Sequence, residues 1–218
     1  MHRGPPLGAL GAALPVGFYR RDALDVAPDL LGHLLVADDG RVGRIVEVEA
    51  YRGRDDPASH AFGGRSARNA VMWSPGGVLY VYLSYGMHWC ANAVCSAEGD
   101  PQAVLIRAVA PLAGLDIMRA ARWTTQRTRR DLDLCRGPGR LAQAFGIDRE
   151  DGGTDLTAER SRIRILQAQG AGPRLPARGP RVGISRAREL PWRFWIPGEP
   201  TVSAPRDGRG ASPPPQPN

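Results

Sequence analysis

The sequence predicts an α+β fold, a single domain with a curved antiparallel sheet, surrounding helices and a protruding β-hairpin. Three observations predict it. At 218 residues and 42% apolar composition, the chain is long enough to bury one sizeable core and gives little reason to split it in two. Strand-like runs follow one another at hairpin distance with turn residues between them. The regular strand–helix alternation that builds a parallel sheet is missing.

Taken in order, residues 1–16 are rich in Gly and Pro, and 203–218 close on a Pro-rich run. Both are expected to be disordered tails around a domain spanning 17–202. Val26, Leu30, Leu31, Leu34 and Leu35 fall at helical spacing, predicting a core helix over 25–36 that Asp22 or Asp25 can cap. After the Asp38-Asp39-Gly40 turn, Ile45, Val46 and Val48 predict a strand over 42–51, whose period of two sets Glu47, Glu49 and Tyr51 on one face. Residues 78–83 and 88–94 form the arms of a hairpin, with Tyr80 and Tyr82 on one face and Ser84-Tyr85-Gly86-Met87 at the tip. A further strand over 104–109 carries Arg107 inside an apolar run, and Leu112, Leu115, Met118 and Ala121 make a helical stripe. Gly137-Pro138-Gly139 opens another helix through Phe145 that Gly146 closes. Residues 181–184 and 192–196 read as late strands.

The net charge is +7 and the pI about 10.1, which suits a polyanionic partner and points first to nucleic acid. All 29 basic residues are arginine, so no lysine can form a Schiff base and imine chemistry is left only to the N-terminal amine. Cys90, Cys95 and Cys135 lack the spacing of a zinc site or a disulfide framework and read as reduced, buried thiols. The apolar run over 7–16 is short and broken by Gly and Pro, unlike a signal segment, and nothing reaches the length of a membrane span. A cytoplasmic protein is expected.

The block from Arg44 to Gly53, followed by His60 and Gly63-Gly64-Arg65, carries the most chemistry. A carboxylate beside aromatic faces is what hydrolysis of a purine nucleotide needs: the carboxylate takes a proton from water and stabilises an oxocarbenium-like sugar, while the aromatics stack the base. Tyr85 at a hairpin tip can wedge into a base stack and recover part of the unstacking cost. Taken singly, each residue also has an ordinary reading: Glu49 a solvated strand carboxylate, Tyr51 and Tyr82 half-buried sheet residues, His60 a loop histidine, Tyr85 the cover of a hairpin end, Arg107 a strand-end surface arginine.

Several ordered blocks resemble the alkyladenine (3-methyladenine, methylpurine) DNA glycosylases, from about Tyr19 to Val202. They are Gly43-Arg44-Ile45-Val46-Glu47-Val48-Glu49-Ala50-Tyr51, Arg68-Asn69 before Met72, Leu79-Tyr80-Val81-Tyr82 with Tyr85-Gly86-Met87, and Gly137-Pro138. The resemblance implies an enzyme that flips alkylated or deaminated purines out of duplex DNA and hydrolyses the glycosidic bond, as a monomer and without metal or organic cofactor. It implies that Glu49 activates the water, that Arg107 helps place it, and that Tyr51, His60 and Tyr82 line and stack the base. Tyr85 would intercalate and Asn92 would crowd the C2 edge of the purine, excluding the exocyclic amine of guanine, although Asn92 also reads as a sheet-bonding asparagine.

The implied substrate is 3-methyladenine first, with hypoxanthine, ethenoadenine and 7-methylguanine behind it. Cationic alkylpurines leave readily, whereas hypoxanthine also needs ring protonation, so weaker and more pH-sensitive activity is expected on it. Arg119, Arg122, Arg127, Arg129 and Arg130, and the N–H groups after Gly137-Pro138-Gly139, are candidates to hold the DNA backbone. His88 and Trp89 after Met87, and the segment 54–57, depart from the vertebrate pattern, which implies a different spread of lesions. The competing reading is a non-catalytic nucleic-acid binding module, for which a carboxylate facing the scissile bond would only repel DNA.

Overall fold

The computed structural model describes residues 11–122, 130–170 and 172–203. One antiparallel sheet runs in the order β3 (Leu79–Ser84), β4 (His88–Cys95), β5 (Gln102–Ala113), β2 (Val42–Tyr51), β1 (Leu34–Ala37), β6 (Ile163–Leu166). Strand β8 (Arg193–Trp195) pairs with the Glu47–Glu49 stretch of β2 and carries β7 (Ala177–Gly179) on its other edge. Register shifts on β2 at Val42/Gly43, Ile45/Glu47 and Glu47/Val48 bend the strand, because an extra residue raises the local twist, and the sheet curls. The predicted α+β class, antiparallel sheet and hairpin are all present.

Helices cover one face. In α2 (Ala23–Leu30), the Asp22 side chain accepts from Leu24 N at 2.9 Å and caps the first turn, while Val26, Ala27 and Leu30 are buried. Short α1 (Val16–Tyr19) buries Tyr19. The other two helices are α3 (Leu115–Arg122) and α4 (Pro138–Phe145); α4 packs on β4 and β5 and inserts Leu141 and Phe145 into the core. Gly146 closes α4 in the left-handed region at φ 60°, as the sequence predicts.

Several expectations are corrected. The helix over 25–36 ends at Leu30, and Leu34–Ala37 is a strand bonded on both sides, to β2 and β6. The helix stops where Leu31 turns extended (ψ 137°) ahead of Gly32 (φ 87°), and a short buried apolar run fits strand as well as helix. Leu112 belongs to β5 and is 53% exposed; only Met118 of the helical stripe is buried in α3. Residues 181–184 form a loop, and β6 and β7 went unpredicted. The tail boundaries also move: Leu14 is buried with its N–H on Ile165 O at 3.0 Å, and Ser203 is bonded inside the protein. The remainder of both predicted tails lies outside the described residues. Among the described residues, no helix is long and apolar enough to cross a membrane.

Candidate active site

Strand β2 presents Glu47 and Glu49 with no exposed surface, facing Arg107 of β5, and β8 brings Arg193 alongside. Isolated buried charges are prohibitive, so each must find partners. Glu47 Oε1 accepts from Arg107 Nε at 2.9 Å, Arg193 Nε at 2.7 Å and Ser203 Oγ at 2.8 Å, and its Oε2 accepts from Ser203 N at 2.6 Å. Glu49 Oε1 accepts from Val182 N at 2.7 Å and lies 3.1 Å from Arg107 Nη1; its Oε2 accepts from the Tyr51 hydroxyl at 2.9 Å. Burial works against the Arg107 charge, but Glu49 and Glu47 more than offset it and raise its pKa overall. The expected Arg107–Glu49 pair is therefore present, with Glu47 as a second partner. The single expectation of a surface arginine at 107 does not hold.

A cleft of about 1170 Å³ opens in front of this network, lined by Tyr51, His60, Tyr82, Tyr85, Asn92 and Arg107 among others. Six of the seven predicted site residues thus share one cavity, while Glu49 lies directly behind the wall made by Tyr51, Arg107 and Val182. In the aromatic part of the lining the His60 ring meets Tyr82 edge-on, centroids 4.4 Å apart, and His60 Nδ1 lies 3.0 Å from the Tyr80 hydroxyl. Asn69 fixes the loop that carries His60, donating from Nδ2 to His60 O at 3.0 Å and Gly64 O at 2.9 Å.

Burial, then the Glu49 charge, pushes the Tyr51 hydroxyl well above its usual range; burial also raises Tyr82 and pushes Tyr80 up to about 12. All three stay protonated and can donate. His60 is exposed at the cleft mouth, yet the walls desolvate its ring and lower its pKa, with Arg68 adding to the effect. Asn92 is buried and its Nδ2 donates to Tyr80 O at 3.0 Å and Cys90 O at 3.4 Å, which orients the amide on the cleft wall. The sheet-bonding reading of Asn92 and its place in the cavity hold together. Cys90 lines the same wall, its thiol pKa raised by burial.

At the hairpin tip, Tyr85 and Gly86 take φ of 50° and 69°, the sign that tight hairpin turns require. For tyrosine this left-handed conformation costs about 1–2 kcal/mol, and it leaves the ring 72% exposed. Its hydroxyl donates to Gly183 O at 3.2 Å, so the tip bridges to the loop that holds Val182. Arg68, Arg122, Arg136, Arg140 and Arg186 line the same cleft, as does the Gly137-Pro138-Gly139 entry of α4. Among the expected backbone-binding arginines, Arg119 pairs with Asp116 and Asp131, and Arg130 pairs with Asp133. Arg127 and Arg129 lie outside the described residues.

Sequence reasoning missed Glu47 as a partner, and with it Arg193, Ser203, Val182 and the Arg181–Asp56 pair. The one available signal was the period of two that puts Glu47 on the face of Glu49. No group of three or more His, Cys, Asp or Glu among the described residues could hold a metal ion.

A profile of the methylpurine-DNA glycosylase family matches residues 17–200, almost the whole described fold. The chain belongs to that family. It is a DNA glycosylase, an enzyme of base excision repair that acts on DNA. A protein of Burkholderia lata named "Putative 3-methyladenine DNA glycosylase" is 52% identical over 206 residues, covering 94% of this chain and 98% of the relative. Relatives of the same name are 47% identical in Rhodopseudomonas palustris, over 93% of this chain and 96% of theirs, and 47% in Streptomyces avermitilis, over 85% and 88%. Family membership removes the non-catalytic binding module as a reading.

Proposed function

We propose that this glycosylase removes 3-methyladenine first, and hypoxanthine, ethenoadenine and 7-methylguanine behind it, from duplex DNA, working as a monomer and leaving an abasic site. The observation that carries the reading is Glu49 held by a cation and two neutral donors immediately behind an aromatic cleft. Tyr85 enters the stack as the damaged nucleotide swings out, and the base is taken between Tyr51, His60 and Tyr82. Asn92 crowds the C2 edge and rejects guanine.

Glu49 then accepts the proton of a water that attacks the anomeric carbon, the glycosidic electron pair leaves with the base, and Arg107 places the water. An alkylated cationic base departs neutral, so one base in the site suffices. Because the chain has no lysine, hydrolysis ends at the abasic site without a lysine-dependent strand break. The reading has one geometric requirement: Glu49 has no exposed surface, so the wall must open beside Oε2, which accepts from the Tyr51 hydroxyl and has a second lone pair for the water, when the base seats. Expected localisation is cytoplasmic, on nucleoid DNA.

The test uses duplexes with one hypoxanthine or ethenoadenine, and methylated DNA, incubated without metal and then treated with alkali. Strands should break only after alkali, and Glu49→Gln should slow base release by roughly 10²–10⁴-fold while still binding the duplexes. Full activity in Glu49→Gln would remove Glu49 from the reaction.

A further inference from the structure

Behind the cleft sits an ion pair that touches neither the base nor the water in the proposed reaction. Arg181 and Asp56 both have side chains with no exposed surface, joined at 2.5 Å (Nη1–Oδ2) and 2.8 Å (Nη2–Oδ1). Arg181 Nη1 also donates to Ala50 O at 2.9 Å, and its Nε has no partner. The guanidinium lies over the Tyr51 ring, 4.6 Å from the centroid, and over Trp192 at 5.0 Å. Asp56 in turn accepts from Ala58 N at 3.0 Å and Arg52 N at 3.3 Å, tying down the loop that follows β2.

A dry ion pair contributes little net stability, since apolar residues of equal volume often serve as well. Its placement is more telling. Ala50, which Arg181 grips, lies between Glu49 and Tyr51 in the chain. Tyr51, on which Arg181 stacks, donates its hydroxyl to Glu49 Oε2, and Val182, the next residue after Arg181, donates its N–H to Glu49 Oε1. One planar cation is therefore stacked on the ring of one neutral donor to the Glu49 carboxylate, and its own residue is the chain neighbour of the other.

We propose that the Arg181–Asp56 pair is a positioning device for Glu49, fixing from behind the cleft the Tyr51 hydroxyl and the Val182 N–H that hold its two oxygens. The inference rests on the reading of Glu49 as the group that activates water. It gives the 54–57 segment a part in the geometry of the carboxylate, carried by Asp56. Arg181 does not touch the base; it acts through Tyr51 and Val182.

The experiment is a double-mutant cycle on single-turnover base release from methylated DNA, whose cationic bases leave with little help. Arg181→Lys keeps a cation opposite Asp56 but lacks the planar fork and the stacking surface. It should slow release by roughly 10- to 100-fold, the size expected when reacting groups are displaced by about 1 Å. In a Glu49→Gln background the same change should have no further effect, because the group it positions is already gone. Affinity for a duplex carrying a tetrahydrofuran abasic analogue should stay unchanged.

If Arg181→Lys slows release by the same factor in both backgrounds, or weakens analogue binding in proportion, the pair is only structural and the proposal is overturned; a folded Arg181→Lys protein with the wild-type rate overturns it too. Should Arg181→Lys unfold, the doubly neutral Arg181→Met/Asp56→Asn protein replaces it in the cycle with the same expected outcomes. A Glu49→Gln protein as fast as wild type would instead sink the assignment of Glu49, whatever Arg181 does.

Discussion

On the wall formed by β2, β5 and β8, Glu47, Glu49, Arg107 and Arg193 are at most 6% exposed and bonded to one another, whereas on the aromatic wall Tyr82 is half-buried, His60 is exposed and Tyr85 is 72% exposed. The first wall is a closed electrostatic network in which each carboxylate oxygen already has a donor. The second is held by ring contacts and by scattered neutral hydrogen bonds, His60 to Tyr80, Asn69 to His60 and Tyr85 to Gly183. Chemistry that depends on charge placement gains from a preorganised, water-poor wall, while recognition of bases that differ in shape and charge tolerates a wall of aromatic faces. The contrast teaches that the dry wall should fail by unfolding or loss of rate, and the open wall by loss of binding.

The sharpest break in that contrast would come from Glu47→Ala. Removing the carboxylate that Arg107 and Arg193 share leaves the buried Arg193 charge without a counter-ion and Arg107 with Glu49 alone, and the protein should lose about 3–5 kcal/mol of stability. Denaturant unfolding with an unchanged m-value reads this directly, and a loss under about 1 kcal/mol would mean that the network is not a unit.

A smaller effect is expected across the cleft. Tyr82→Ala should weaken binding of the Glu49→Gln protein to an ethenoadenine duplex by about 1–3 kcal/mol, with a smaller change in unfolding midpoint than Glu47→Ala. A stability loss without weaker binding would make Tyr82 a sheet residue rather than a base platform.

The smallest effect concerns pH. Burial and Arg68 lower the His60 pKa below 6.5, so the ring is neutral at pH 7 and gains a proton only in acid. The unfolded chain takes up that proton first, so the His60 contribution to stability is intact above pH 6.5 and is lost as pH falls from there to the lowered folded value. A protonated ring would also repel a cationic methylpurine. Affinity for such a duplex should fall modestly as the pH drops below 6.5 toward the lowered His60 value, and His60→Gln should flatten the curve. An identical fall in His60→Gln assigns the titration elsewhere.

The sequence by itself determined what local period and turn chemistry can determine. Alternation on β2 placed Glu47, Glu49 and Tyr51 on one face; alternation on β3 aligned Tyr80 with Tyr82; Gly86 marked the hairpin that lifts Tyr85; Gly137 and Gly146 bracketed α4. These patterns depend on neighbours a few residues away. Local period also misled where it was ambiguous, at Leu34 and Leu35, because a short buried run fits either a helix or a strand until Gly32 and the pairing with β6 decide.

Only the tertiary structure decided who satisfies the carboxylates. Ser203 and Arg193 reach Glu47 from 156 and 146 residues away, Val182 reaches Glu49 from 133, and Arg181 reaches Asp56 from 125. No sequence period links such pairs: the curl of the sheet brings β8 and the 181–184 loop against β2, and the cost of burying a charge alone then selects among the polar groups that arrive.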